Sequence, residues 1–292
     1  MQKRVLAVHD ISCIGRCSLT VALPILSAAG IETSVLPTAV LSTHTGNFEG
    51  FTFRDLTDDI LPICRHWSEL GIKFQSIFTG YLGSIHQMEL VSKLFDDFSN
   101  ENTLILVDPV MGDHGKLYQN LTPDFPQEFK KLCAKAHIIT PNLTEASFML
   151  GIPYIAEGYS KDYIEEILIK LSRLGPEKIV LTGVSFHEEQ LGCATYDKAT
   201  GDINFIFDKR IGGIYHGTGD VFSSALLAAL MNRLSLSEAA SAAVGFTAAA
   251  IRRTLRTGGE TRYGVEFEAG LAEFGMKMKE SSTEVYKSQI IK

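Results

Sequence analysis

The stretch 214–230, IYHGTGDVFSSALLAAL, sets two glycines and a carboxylate ahead of a strongly apolar helix. Gly217 and Gly219 leave backbone N–H groups uncovered, and the helix behind them turns its positive end to the same spot. Together these make an anion site. Asp220, beside that hollow, has two readings. One is an ordinary helix cap, since Asp is a favoured residue there. The other is a base that accepts a hydroxyl proton during phosphoryl transfer, which requires only hydrogen-bond reach and an ionised state. No G-K-[ST] follows the glycines, so the loop is not of the lysine-bearing phosphate-binding type.

Further polar or glycine-containing motifs each follow a short apolar run. They are HD (9–10), STHTG (42–46), TGYLGS (79–84), DPVMGD (108–113), TPNLTE (140–145) and TG (182–183). In an open parallel sheet, ligands gather beyond the carboxyl ends of the strands, so these motifs would share one edge. Turn chemistry also enriches Gly, Pro, Asn and Asp after strands, and the weight lies in their agreement. Asp108, followed by proline, reads as a strand stop and a fixed turn.

The elements that must carry these residues alternate. Segments 3–9, 33–38, 74–80, 103–108, 137–140 and 178–183 read as short strands rich in Val and Ile. Segments 18–30, 56–71, 85–99, 124–135, 144–151 and 160–174 have helical spacing. This alternation predicts an α/β fold, a mostly parallel sheet with helices on both faces. LGCATYD and INFIF around KATGD predict a hairpin turning at Gly201, followed by helices at 219–232, 236–256 and 265–279. No linker or repeat interrupts residues 1–280, which predicts a single domain, and the polar residues 281–292 are expected to fray.

Bulk properties exclude several classes. The 292 residues are 45% hydrophobic and 21% charged, an ordinary soluble balance. A net charge of −7 without a long basic run argues against nucleic-acid binding by phosphate neutralisation. The apolar run before His9 is too short for a signal peptide, and no stretch approaches a membrane span, so a cytoplasmic protein is expected. Cys13, Cys17, Cys64, Cys133 and Cys193 form no C-x-x-C pair and are expected to be free thiols, mostly buried. Asn142–Thr144 matches a glycosylation pattern, which carries no weight in a chain that is not secreted.

HGTGD opening a helix resembles the anion-hole and base motif of the ribokinase-like superfamily. DPVMGD, TPNLTEASFMLG, STHTG and TGYLGS are similar to its vitamin B6 kinase branch, the pyridoxal kinases, and the likeness runs from Arg4 to about Lys279. The resemblance implies a three-layer ribokinase-like sandwich. It implies Asp220 as general base for a 5′-hydroxymethyl group, with Gly217, Thr218 and Gly219 cradling the transferring phosphate. Asp113 and Glu145 would lie near Mg²⁺ and the ATP phosphates, partly through water. Asn142 and Thr182 would reach phosphate oxygens, and Thr45 and Tyr81 would line the pyridine pocket. A homodimer and a monovalent cation, K⁺ or Na⁺, are implied by resemblance alone. The adenine pocket falls somewhere between residues 205 and 255.

Two positions depart from the pattern. Pyridoxal kinases usually carry glutamine and serine where His9 and Asp10 stand. An ionised aspartate only accepts hydrogen bonds, so Asp10 would suit a substrate that offers donors, or it pairs with His9 to shape the loop. Gly183 replaces a serine common in relatives, removing one phosphate contact. Hydroxymethylpyrimidine kinases are the rival family, but their motif reads G-T-G-C where this chain has Asp220. A nucleotide- or pyridoxal-binding protein without turnover is the alternative from another class, and the carboxylate at 220 speaks against it.

Overall fold

A computed structural model describes residues 3–46, 48–119 and 121–290, with 282–290 as backbone alone. Its strands are β1 (Arg4–Ile14), β2 (Glu32–Thr43), β3 (Phe53–Asp55), β4 (Ser76–Thr79), β5 (Leu104–Val107), β6 (Gly112–Asp113), β7 (Lys116–Leu117), β8 (Ile138–Ile139), β9 (Lys178–Val184), β10 (Gln190–Asp197) and β11 (Asp202–Lys209). Its helices are α1 (Leu19–Ala28), α2 (Thr57–Glu69), α3 (Ile85–Phe98), α4 (Phe125–Cys133), α5 (Leu143–Leu150), α6 (Lys161–Ser172), α7 (Thr218–Met231), α8 (Leu236–Thr257) and α9 (Leu271–Ile290).

Nine strands form one sheet in the order β11-β10-β9-β8-β5-β4-β1-β2-β3, and β6 and β7 form a separate ribbon. Pairing is parallel from β9 through β2 and antiparallel at both edges. Buried strands read as continuous Val, Ile and Leu because successive side chains enter opposite cores. Val5, Phe78, Leu106, Ile138 and Val180 pack with α1, α7, α8 and α9. Leu6, Ile77, Ile105, Ile139 and Ile179 pack with α2 to α6. Each such side chain contributes about 1.5–3 kcal/mol on burial. The result is the three-layer α/β sandwich.

β1 hydrogen-bonds to β2 on one side and to β4 on the other, so the chain reverses its direction of travel across the sheet there. Such a switch point opens a crevice at the carboxyl ends of the strands. β1 and β2 run further than the sequence suggests. Their register slips between His9 and Ile11, opposite Pro37, a position where a sheet tolerates proline. β3 is too short and exposed to show in the pattern. The expected third helix starts only at Leu271 and continues through Ile290, past the start of the segment expected to fray. Its Lys, Glu and Met residues favour helix whether or not one face is apolar. Residues 291–292 lie outside the described residues.

Candidate active site

α7 begins with Gly217 as N-cap at φ 71°, ψ 4°, a left-handed conformation that glycine adopts without penalty. A Cβ on Gly217 would also collide with the carbonyl oxygen of Arg16, so no other residue fits. The first helical bond runs from the Val221 N–H to the Gly217 carbonyl, at 3.0 Å. The N–H groups of Thr218, Gly219 and Asp220 precede that bond and have no partner within the helix. Gly219 is exposed, so an anion can approach them. Asp220 stands third in the helix, in its first turn, and the N-cap position is taken by Gly217.

Asp220 keeps one edge open to the cleft, yet the protein packed around its carboxyl desolvates it. Burial pushes its pKa up to about 7; the Ser18 backbone N–H opposes this, and the charges of Asp108 and Asp10 add to it. Asp108 is buried and accepts a 2.9 Å bond from the Ser223 hydroxyl, one turn along α7, which lies 3.2 Å from the Thr140 hydroxyl. Desolvation raises Asp108 to about 6. It thus ties the end of β5 to α7, in line with its structural reading.

On the other side of Asp220 lie the N-terminal motifs. Asp10, 5% exposed, accepts from the Ser18 hydroxyl at 2.6 Å and from the Ser12 hydroxyl at 3.3 Å. Burial raises its pKa despite both bonds. Half-buried Tyr81 sits close enough that the Asp10 charge adds to the burial raising its phenol. His9 is buried without a partner for either ring nitrogen, and burial lowers its pKa to about 3, so the ring is neutral. It packs edge-on to Phe78 and against Gly80, where any Cβ would meet the ring. It makes no hydrogen bond to Asp10. Thr45 lies exposed on the rim, and it is the preceding His44 that feels the Asp10 charge. The neutral His44 ring accepts from the Gly46 N–H at Nδ1 and donates from Nε2 to the Arg262 carbonyl at 2.6 Å.

The α5 side is hydrogen-bonded throughout. Asn142 caps α5 by accepting from the Glu145 N–H, while its amide donates to the Gly112 carbonyl, both at 2.9 Å. Glu145 completes a capping box by accepting from the Asn142 N–H, and its other oxygen accepts from the Met111 N–H. Burial and the neighbouring Asp108 raise its pKa well above the usual range. The Thr182 N–H donates to the Pro141 carbonyl at 2.8 Å, beside a bridge to Asn142. Gly183 has φ 73° where the β9–β10 register slips, a bulge position that a serine would strain.

After Met111 the chain forms the β6–β7 ribbon, turning at His114 and Gly115, both with positive φ. Two bonds tether it to α5: Asn142 to the Gly112 carbonyl, and the Gly115 N–H to the Thr144 hydroxyl at 2.9 Å. Tyr118, just beyond β7, has its phenol raised by burial and then by Glu145, Asp113, Asp108 and Asp220. Sequence reasoning missed Tyr118, Ser18 and His44. A tyrosine in a polar loop gives no signal, and Ser18 reads as an ordinary helix start.

Among the described residues no three His, Cys, Asp or Glu side chains converge to hold a metal ion directly. Both oxygens of Glu145 are bonded to backbone N–H groups, and Asp113 is exposed, near His114 at 3.6 Å. The charges of Asp108 and Asp113 both reach buried Glu145, an acidic edge that would suit a hydrated Mg²⁺.

Residues 28–264 match the phosphomethylpyrimidine kinase family. A Bacteroides thetaiotaomicron VPI-5482 protein, provisionally named a phosphomethylpyrimidine kinase, is 39% identical, with a TM-score of 0.90 and 93% of each chain covered. A second crystal form under that name, solved with pyridoxal, is 38% identical, with a TM-score of 0.88 over 94% of this chain and 95% of that one. The pyridoxal kinase of Lactobacillus plantarum is 29% identical, with a TM-score of 0.86 over 94% of this chain and 97% of that one. The pyridoxal kinase of Arabidopsis thaliana is 29% identical over 79% of this chain and 75% of its own. With HGTGD at the start of α7 and these likenesses along nearly the whole sandwich, the chain belongs to the phosphomethylpyrimidine kinase family, in the pyridoxal kinase branch of the ribokinase-like superfamily, and is an enzyme of that kind.

Proposed function

We propose that this chain transfers the γ-phosphoryl group of ATP directly to the 5′-hydroxymethyl group of a vitamin B6 vitamer, with Asp220 as the base. One observation carries the reading: a carboxyl that burial desolvates, pushing its pKa up to about 7, stands in the first turn of α7 with N–H groups that have no partner within the helix. A base is most effective when its pKa lies near the working pH, because it is ionised and still basic. Asp220 takes the alcohol proton as the oxygen attacks phosphorus. The N–H groups of Thr218, Gly219 and Asp220 meet the charge on the phosphoryl oxygens, already oriented and without reorganisation. When bound, Mg²⁺ neutralises the ATP phosphates; the Asp108, Asp113 and Glu145 edge would hold it through water. A monovalent cation, K⁺ or Na⁺, would share that edge.

Tyr81, Thr45 and Asp10 border the pyridine ring in this reading. Asn142 and Thr182 hold the backbone at the phosphate edge, and the β6–β7 ribbon covers the phosphates. The same reading carries a homodimer and a cytoplasmic site of action; no helix among the described residues is long and apolar enough to cross a membrane. A second reading, hydroxymethylpyrimidine as substrate, draws support from the family's name. The pyridoxal in the Bacteroides relative favours the B6 reading. Initial rates with pyridoxal, pyridoxamine, pyridoxine and hydroxymethylpyrimidine, each with Mg·ATP, test it. A B6 vitamer should give the highest kcat/KM. Preference for the pyrimidine would overturn the substrate, and no turnover with any of the four would overturn the kinase.

A further inference from the structure

Ser18 has φ 52° and ψ −129°, and is one of three non-glycine residues with positive φ among those described. A backbone of this kind is strained and persists only where its surroundings hold it. As N-cap of α1, Ser18 would ordinarily accept a bond from the helix's first turn; its side chain caps nothing. The hydroxyl points instead to Asp10 Oδ1 at 2.6 Å, and both residues are buried. The segment carrying Ser18 is pressed onto the start of α7. A Cβ on Gly217 would strike the Arg16 carbonyl and lie 3.6 Å from the Cys17 Cα. Asp220 stands three residues after Gly217, and the Ser18 backbone N–H lowers its pKa against the effect of burial.

We infer that Ser18, anchored by Asp10, is a positioning residue whose strained backbone holds the 16–18 segment against Gly217 and so sets the start of α7, and with it Asp220, for transfer. The inference rests on the base reading above. Asp10 thereby acts on the reaction through Ser18, whatever it contributes to the ring pocket. The groups facing Asp220 are Asp10 from β1, Cys17 before α1, Asp108 after β5 and Tyr118 after β7. Of these, Asp10 accepts from the Ser18 hydroxyl, which also lowers the Cys17 thiol against the effect of burial.

Four variants of the full chain test this with saturating pyridoxal and Mg·ATP. Ser18→Ala and Asp10→Ala remove the anchor; kcat should fall about tenfold, the equivalent of 1.36 kcal/mol, with the KM for ATP nearly unchanged in both and that for pyridoxal nearly unchanged in Ser18→Ala. Ser18→Gly lacks the hydroxyl but adopts positive φ freely; it should fold and return to within about threefold of the parent kcat, and Asp10→Asn, which still accepts from the hydroxyl, should keep more kcat than Asp10→Ala. A purely structural role would separate Ser18→Gly from Ser18→Ala in their urea-unfolding midpoints while leaving the kcat per folded molecule alike. The inference is overturned by parent-like kcat in both alanine variants, by Ser18→Gly no better than Ser18→Ala, or by losses confined to the pyridoxal KM. Asp220→Asn, run alongside, tells the two claims apart. Parent-like kcat there removes the base itself, whereas a low value with unaffected alanine variants removes only the anchoring.

Discussion

Replacing Asp220 by asparagine should trade activity for stability in a pH-dependent way. Folding carries this carboxyl from an ordinary pKa of 3.8 to about 7. A group raised on folding contributes stability below its unfolded value, and loses it as pH rises through its folded value. The parent is therefore penalised increasingly between about pH 4 and pH 7, and uniformly above. The span is roughly three pH units, at most about 4 kcal/mol at 1.36 kcal/mol per unit. The carboxyl's open edge reduces this to about 1–2 kcal/mol by solvent screening. Asparagine is neutral in both states and escapes the penalty. Urea unfolding should find Asp220→Asn more stable than the parent by about 1–2 kcal/mol at pH 8, and by much less at pH 5. In the same preparation kcat should fall by about 10²–10⁴. A variant that is less stable at pH 8, or equally affected at both pH values, would refute the claim that burial raises this carboxyl.

Gly217→Ala adds a left-handed penalty and a collision with the Arg16 carbonyl. It should lose about 1–3 kcal/mol of stability and at least about tenfold in kcat by urea unfolding and initial rates; parent-like values would show the N-cap geometry to be dispensable. Asn142→Ala removes the α5 cap and the tether to Gly112. It should cost about 1–2 kcal/mol and raise the KM for ATP, and an unchanged KM would detach the ribbon from nucleotide binding. Amide exchange across the β6–β7 ribbon should slow when Mg·ATP binds; no change would count against its covering the phosphates.

The architecture was legible because parallel strands buried on both faces leave unbroken runs such as LILV in β5 and KIVLTG in β9. The active edge was legible because the motifs follow those runs, and because glycine at 217 answers two backbone demands at once. What sequence could not convey depends on contacts far apart in the chain. The diversion of the Ser18 hydroxyl from α1 to Asp10 depends on where β1 ends relative to α7. The ribbon within 112–123 is two residues per strand, below any readable alternation, and is held by bonds from α5. Glu145 looked available to phosphate or metal, but its position three residues after Asn142 is also that of a capping box, which is what the structure forms.

The most direct test follows the chemical step itself, by rapid-quench single turnover with pyridoxal and Mg·ATP from pH 5.5 to 8.5. In the parent the rate should climb about tenfold per pH unit and level off near pH 7, as Asp220 ionises; in Asp220→Asn it should be low and flat. The same climb in the asparagine variant, or a flat profile in the parent, would contradict the assignment of this carboxylate as the group that takes the proton.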